Sequence, residues 1–162
     1  MSDSFIKALY AGDTAANKVM QDNAEINNII SMLEHALSTY LKRNVTLKIS
    51  PPDNIGLRHF FSAITKSKND NNDDVGDIFD EVKINEVITE LKSESLFLFK
   101  KSPNGWPVYI KHNMNTIRTT SSGELELVLG DILKDPSTIF KIRKFGTMLI
   151  NNENESSQAD KS

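Results

Sequence analysis

With 162 residues, 38% of them hydrophobic and 25% charged, the chain can bury one core unaided; with no cysteine it excludes disulfides, thiolate nucleophiles and cysteine-ligated metals, and fits a reducing, cytoplasmic setting. No apolar run approaches the ~18 residues needed to span a bilayer, and no basic segment followed by an apolar core marks a secretory signal at the N-terminus. The net charge of −3 hides a polarity: residues 1–95 carry 10 basic and 15 acidic side chains, whereas residues 96–148 carry 8 and 4, so the two parts differ in the partners they would attract.

Residues 3–10 read as a short helix capped by Asp3 or Ser4, with Phe5, Ile6, Leu9 and Tyr10 on one face and Gly12 just past its end. Its expected role is to dock on the chain's own core, because exposed apolar stripes are uncommon in monomers. Asp13 or Thr14 opens a second, longer helix to Arg43. Its stripe of Ile26, Ile30, Leu33, Leu37, Tyr40 and Leu41 follows the 3.6-residue period, as one face of the core or as a seam for self-association or a partner. Lys42 and Arg43 fall in its last turn, and Asn44 can end it.

Val45-Thr46-Leu47-Lys48-Ile49 alternates and reads as a strand, stopped by Pro51-Pro52. A helix from Asp53 or Asn54 would carry Leu57, Phe60, Phe61 and Ile64. Residues 66–77 read as an exposed acidic loop. As a calcium loop from Asp70, through Asn72 and Asp74 to Glu81, it has its glycine one place late, at Gly76. Residues 77–93 read as a helix with Ile78, Phe79 and Val82 on one face, continued by Ile84, Val87, Ile88 and Leu91.

Residues 96–129 read as an antiparallel β-meander. Short apolar runs are separated by Pro103-Asn104-Gly105, by residues 113–115 and by Ser121-Ser122-Gly123, and the last run places Leu125, Leu127 and Leu129 on one face. Asp135-Pro136 is a helix start, with Ile139, Phe140 and Ile142 on the helix, Gly146 as its stop and a last short strand at 147–150. Residues 151–162 should be a disordered polar tail. The expected architecture is a single α+β domain over 1–150, with N-terminal helices and a C-terminal helix packed on one face of the meander.

The catalytic inventory is thin. His35, His59 and His112 fall on different elements, with no pair at metal-ligand spacing, and no glycine-rich phosphate cradle or nucleophile elbow is present, so the sequence asks for no cofactor and no metal. One pattern stands apart. Pro52-Asp53 after a strand, followed by Glu81-Val82-Lys83, resembles the Pro-Asp…Glu-x-Lys signature of a large superfamily of metal-dependent nucleases. That resemblance implies Mg²⁺ on the Asp53 and Glu81 carboxylates, Lys83 orienting or activating the attacking water, and Glu34 as a further member. It needs residues 81–83 to be a strand so that both side chains reach one site, whereas the surrounding apolar spacing reads as helix.

The basic part offers another candidate. Lys100, Lys101, Lys111 and Arg118 interleave with Phe97, Phe99, Trp106 and Tyr109, the combination of cations and aromatic faces that single-stranded nucleic acid needs. The remaining class, a protein-binding subunit, adaptor or inhibitor without chemistry of its own, is the favoured expectation, with Trp106 in its tight corner as an interface anchor.

Overall fold

The computed structural model describes residues 2–52, 78–87 and 92–159, with side chains described as far as 151. The helix expected from Asp53, the acidic loop with its calcium reading, and His59 lie outside the described residues. The architecture is α+β: a long N-terminal helix, a five-stranded antiparallel meander, and two C-terminal helices packing on it. The elements are α1 (Ser2–Leu41), β1 (Val45–Ser50), β2 (Asp80–Glu86), β3 (Ser93–Ser102), β4 (Gly105–His112), β5 (Asn115–Thr119), α2 (Ser122–Lys134) and α3 (Pro136–Ala159). Strand order follows chain order, so each strand pairs with its neighbours in sequence.

Strand pairing sorts the side chains into two faces. Val45 and Leu47 of β1, Val82 and Ile84 of β2, Phe97 and Phe99 of β3, and Val108 and Ile110 of β4 share the helix-covered face. A bulge at the Val82/Lys83 register shift leaves Leu96 unpaired, and both Leu96 and Phe97 are buried. From the other side the core is closed by Ile26, Ile29, Leu33 and Leu37 of α1, Leu125, Leu129 and Ile132 of α2, and Ile142, Phe145 and Leu149 of α3. Each fully buried aliphatic side chain contributes about 1.5–3 kcal/mol.

Four expectations are corrected. First, α1 is one helix running through Gly12, and it ends at Leu41 rather than running to Arg43. Lys42 takes φ 55 as the left-handed closing residue, while Lys42 N–H bonds Thr39 C=O and Arg43 N–H bonds Ser38 C=O, a Schellman pattern built without glycine.

Second, residues 80–86 form a strand and not a helix. The buried pair Val82 and Ile84 is spaced by two, with Lys83 between them on the other face, while Ile78 and Val87, which completed the helical stripe, are exposed.

Third, Glu124 to Leu129 is helix. Ser121 caps α2 by accepting from Glu124 N–H, and Glu124 reaches back to Thr120 N–H at 2.6 Å, a variant of the reciprocal capping box. Those bonds from the Thr120 N–H and hydroxyl hold the Glu124 carboxyl below its ordinary pKa. Leu125, Leu129 and Ile132 face inward at helical spacing, and Leu127 is 72% exposed.

Fourth, Gly146 does not stop the last helix, and residues 147–150 are not a strand: α3 continues to Ala159, through the first part of the segment expected as a tail. A Cβ at Gly146 would sit 2.9 Å from Leu41 Cδ2, so this glycine serves a close approach of α3 to the end of α1.

The β4–β5 hairpin turns on Asn113 and Met114, both at positive φ (47 and 66), as a two-residue hairpin loop requires. Met114 is 96% exposed and gains nothing in exchange for that conformation. Met114→Gly should therefore raise stability by about 1 kcal/mol, read as a higher denaturant midpoint at unchanged m-value.

Asp135 joins α2 to α3. Its carboxylate accepts from the Ser137 hydroxyl at 2.6 Å and backbone N–H at 3.3 Å and from the Asn113 amide at 2.6 Å, and His112 Nε2 lies 3.5 Å away. The Ser137 hydroxyl foremost, then Asn113, the Ser137 N–H and the nearby His112, hold its pKa below the ordinary aspartate value, against an opposing contribution from burial. A carboxylate so depressed stabilises the fold above its unfolded pKa near ~3.9, and that contribution is lost as pH falls through the lower folded value. Asp135→Asn should accordingly flatten the acid limb of a stability–pH profile below about pH 4 and leave its slope near neutrality unchanged.

Candidate interaction surfaces

The first surface is the free arm of α1. Every side chain described from Asp3 to Lys18 is exposed, and Asp22 is the first buried position of the helix. The arm therefore projects roughly 25 Å beyond the domain, at 1.5 Å per residue. Phe5 (71% exposed), Leu9 (73%), Tyr10 (70%) and Ile6 lie along it. The expected docking of these residues on the chain's own core is thus corrected: α1 reaches the sheet only from Asp22 onward, with Ile26, Ile29, Leu33 and Leu37 facing the core. Gly12 sits in mid-arm with nothing within 4 Å of where a Cβ would be, although glycine in a helix interior costs about 1 kcal/mol relative to alanine. Nothing among the described residues explains it.

The second surface is the sheet face turned away from the helices. Across β3, β4 and β5 the side chains of Lys100, Tyr109 and Arg118 stand directly opposite one another, and Leu98, Lys111 and Thr116 form the next row. On β1 and β2, Lys48 stands opposite Lys83 on this same face, with Glu81 beside them. Lys100 Nζ lies 5.8 Å from the Tyr109 ring centroid and 6.0 Å from that of Phe79. The structure thus brings Lys100, Lys111, Arg118 and Tyr109 together and leaves out the rest of the sequence-derived set. Phe97 and Phe99 are buried on the opposite face, Trp106 is half-buried against the core, and Lys101 shares the face of Val108. Lys100 thus sits beside both the Tyr109 and the Phe79 rings.

Glu81 and Lys83 do lie on a strand, as the nuclease resemblance requires, and their side chains pair at 3.1 Å. Asp53 lies outside the described residues. Glu34 serves another end: its Oε2 accepts from the Thr46 hydroxyl at 3.0 Å and from Leu47 N–H at 2.7 Å. Ser38 Oγ similarly accepts from Val45 N–H and donates to Val45 C=O, both at 3.2 Å. Together these α1 side chains occupy the outer edge of β1, the kind of edge that otherwise invites pairing with another strand. Beside them a shallow groove of about 380 Å³ is lined by Ser31, Glu34, His35, Ser38, Asn44, Val45, Thr46 and Val87. Among the described residues, no three of His, Asp and Glu gather as a metal site, and no helix is long and apolar enough to cross a membrane.

His112 donates to or accepts from the Thr138 hydroxyl at 2.9 Å, and Thr138 is fully buried, so this histidine ties β4 to α3. His35 is exposed on α1. The arm is the element that sequence reasoning misplaced. The one signal for it was the apolar stripe around Gly12, a residue read as a helix end.

Compared with known protein families, with curated proteins and with solved structures, the chain matches none.

Proposed function

We propose that this chain is a cytoplasmic, non-enzymatic interaction protein, a subunit, adaptor or inhibitor, that engages a protein partner through the arm of α1. The observation that carries this reading is the exposure of Phe5, Ile6, Leu9 and Tyr10 on a helix held out from the domain. Contiguous apolar surface of this kind is costly in water and marks a docking site more often than not. An amphipathic helix offers a groove-bearing partner anchors one turn apart. The test is recovery of the native partner from cells with tagged full-length chain. Wild type and Lys111→Glu/Arg118→Glu should retain it, and Phe5→Glu/Leu9→Glu should lose it. A recovered set that ignores the arm substitutions overturns the reading.

A second reading rests on the row Lys100–Tyr109–Arg118 with Lys111 beside it, which presents cations to a polyanion. It predicts binding of single-stranded oligonucleotides that weakens steeply with salt and is lost in Lys111→Glu/Arg118→Glu. The Glu81–Lys83 pair supports a nuclease reading by its strand placement alone; that reading requires Mg²⁺-dependent cleavage abolished by Asp53→Ala or Glu81→Ala.

A further inference from the structure

We propose that the arm's partner is a second copy of this chain, the two arms lying antiparallel with Phe5 opposite Ala16 and Leu9 opposite Gly12. The proposal rests on the reading of the arm as the docking element and names its occupant.

The spacing along the arm comes first. Phe5, Leu9, Gly12, Ala16, Val19 and Asn23 follow one another at alternating steps of four and three, the spacing of a two-helix seam. Along that seam the large residues stand in the first half and the small ones in the second. Parallel arms would set Phe5 on Phe5 and leave the Gly12 and Ala16 layers unfilled. Antiparallel arms place a large residue against a small one in each of the four layers, so the helices can approach closely. Gly12, which its own chain does not need to be glycine, becomes the surface on which the other copy's Leu9 rests.

The register set by these sizes ends at the right place. With Phe5 level with Ala16, Ser2 falls level with Val19, so the overlap uses the whole free arm. It stops short of Asp22, where the helix closes against Gly105 of the β3–β4 hairpin. The area is that of a weak dimer. Phe5 and Leu9 on the seam and Ile6 on its flank expose from about half to nearly three quarters of their surface, while Tyr10 turns away from the seam. Two arms therefore remove roughly 700 Å², the size of a weak, reversible interface.

The experiment is sedimentation of the full-length chain over a concentration series, joined to cross-linking that uses the absence of native cysteine. Wild type should be dimeric at tens of micromolar. Leu9→Glu should weaken the dimer about a hundredfold or more by placing a carboxylate in each central layer. Gly12→Leu, whose side chain meets open space in the single chain, should weaken it likewise at unchanged melting temperature of the domain. A mixture of Phe5→Cys and Ala16→Cys chains should oxidise to the mixed disulfide. Monomer throughout the series, a Gly12→Leu dimer as tight as wild type, or preferential Phe5→Cys homodimers would each overturn the pairing. A monomeric wild type that still loses its cellular partner on Leu9→Glu would overturn self-association alone and leave the arm's role as a docking element intact.

Discussion

Gly105→Ala should destabilise the fold by about 2–5 kcal/mol, lowering the melting temperature by roughly 10 °C. Two independent costs meet at this residue. Its φ of +97 lies where an L side chain is strained, as expected for the position that follows the Pro103-Asn104 turn and completes a bulged hairpin. An added Cβ would also sit 2.6 Å from Asp22 Cβ, a distance that real atoms do not adopt. The contact cannot relax by a simple rotamer change, because a Cβ is fixed by its backbone. Either α1 or the hairpin must shift, and Asp22, which is buried and bonded to Lys18, would shift with it. Gly130→Ala provides the contrast: nothing lies within 4 Å of a Cβ there, and the substitution should stabilise α2 by up to about 1 kcal/mol. Thermal melts of the two variants side by side check the assignment of Gly105 as the point where α1 is clamped to the sheet. Equal melting temperatures would contradict it.

That clamp explains how the fold produces its candidate function. From Asp3 to Lys18 the described side chains are exposed, Val19 is half-buried, and from Asp22 the helix is held by Gly105, Ile26, Leu33 and the side-chain bonds to β1. The anchored half of α1 sets the direction in which the free half points. Strain or loosening at Gly105 should thus be felt at Phe5 and Leu9, although neither touches the hairpin.

The sequence was informative where a local signal had one reading. Val45 to Ile49 alternates and borders two prolines, and it is a strand; Asp135-Pro136 starts a helix as a capping residue followed by proline must. It misled where spacing was ambiguous. Ile78, Val82 and Val87 look helical only if exposed residues are counted as core, whereas Val82 and Ile84 alone carry the apolar burial in β2. Leu125, Leu127 and Leu129 alternate as a strand would, yet Ser121 and Glu124 already spelled a helix N-terminus. Glycine misled twice, because Gly12 and Gly146 read as helix ends and are both helix interior. For Gly146 the reason is the approach of Leu41 from outside its own helix, which no local pattern reveals. For the sheet face, the alternation of Lys100, Tyr109, Lys111 and Arg118 was legible, but which side of the sheet Phe97 and Phe99 would take depended on strand register. Register is a property of pairing, not of a single strand.

The last helix carries the second large effect. Phe145→Ala should cost about 3–5 kcal/mol, because Phe145 is fully buried and truncation leaves both lost contacts and a cavity. The same reasoning separates two neighbours on which the strand and helix readings of residues 147–150 disagree. On a strand, Met148 and Ile150 would share the buried face. On α3, Ile142, Phe145 and Leu149 form one stripe at helical spacing, with Leu149 buried and Ile150 exposed. Leu149→Ala should therefore destabilise by about 2–5 kcal/mol and Ile150→Ala by less than about 0.5 kcal/mol, measured by denaturant titration at constant m-value. The stripe also bears on the interaction surface, since Phe145 lies beside Gly146, the residue that Leu41 contacts at the end of α1. The anchored half of α1 is held by Asp22 against Gly105, by Ile26, Ile29, Leu33 and Leu37 in the core, and by Glu34 and Ser38 on β1, with Leu41 reaching Gly146 at its end. That hold sets the direction of the free arm. Phe145→Ala should consequently weaken any arm-dependent association even at temperatures where the domain remains folded, whereas Ile150→Ala should leave it unchanged.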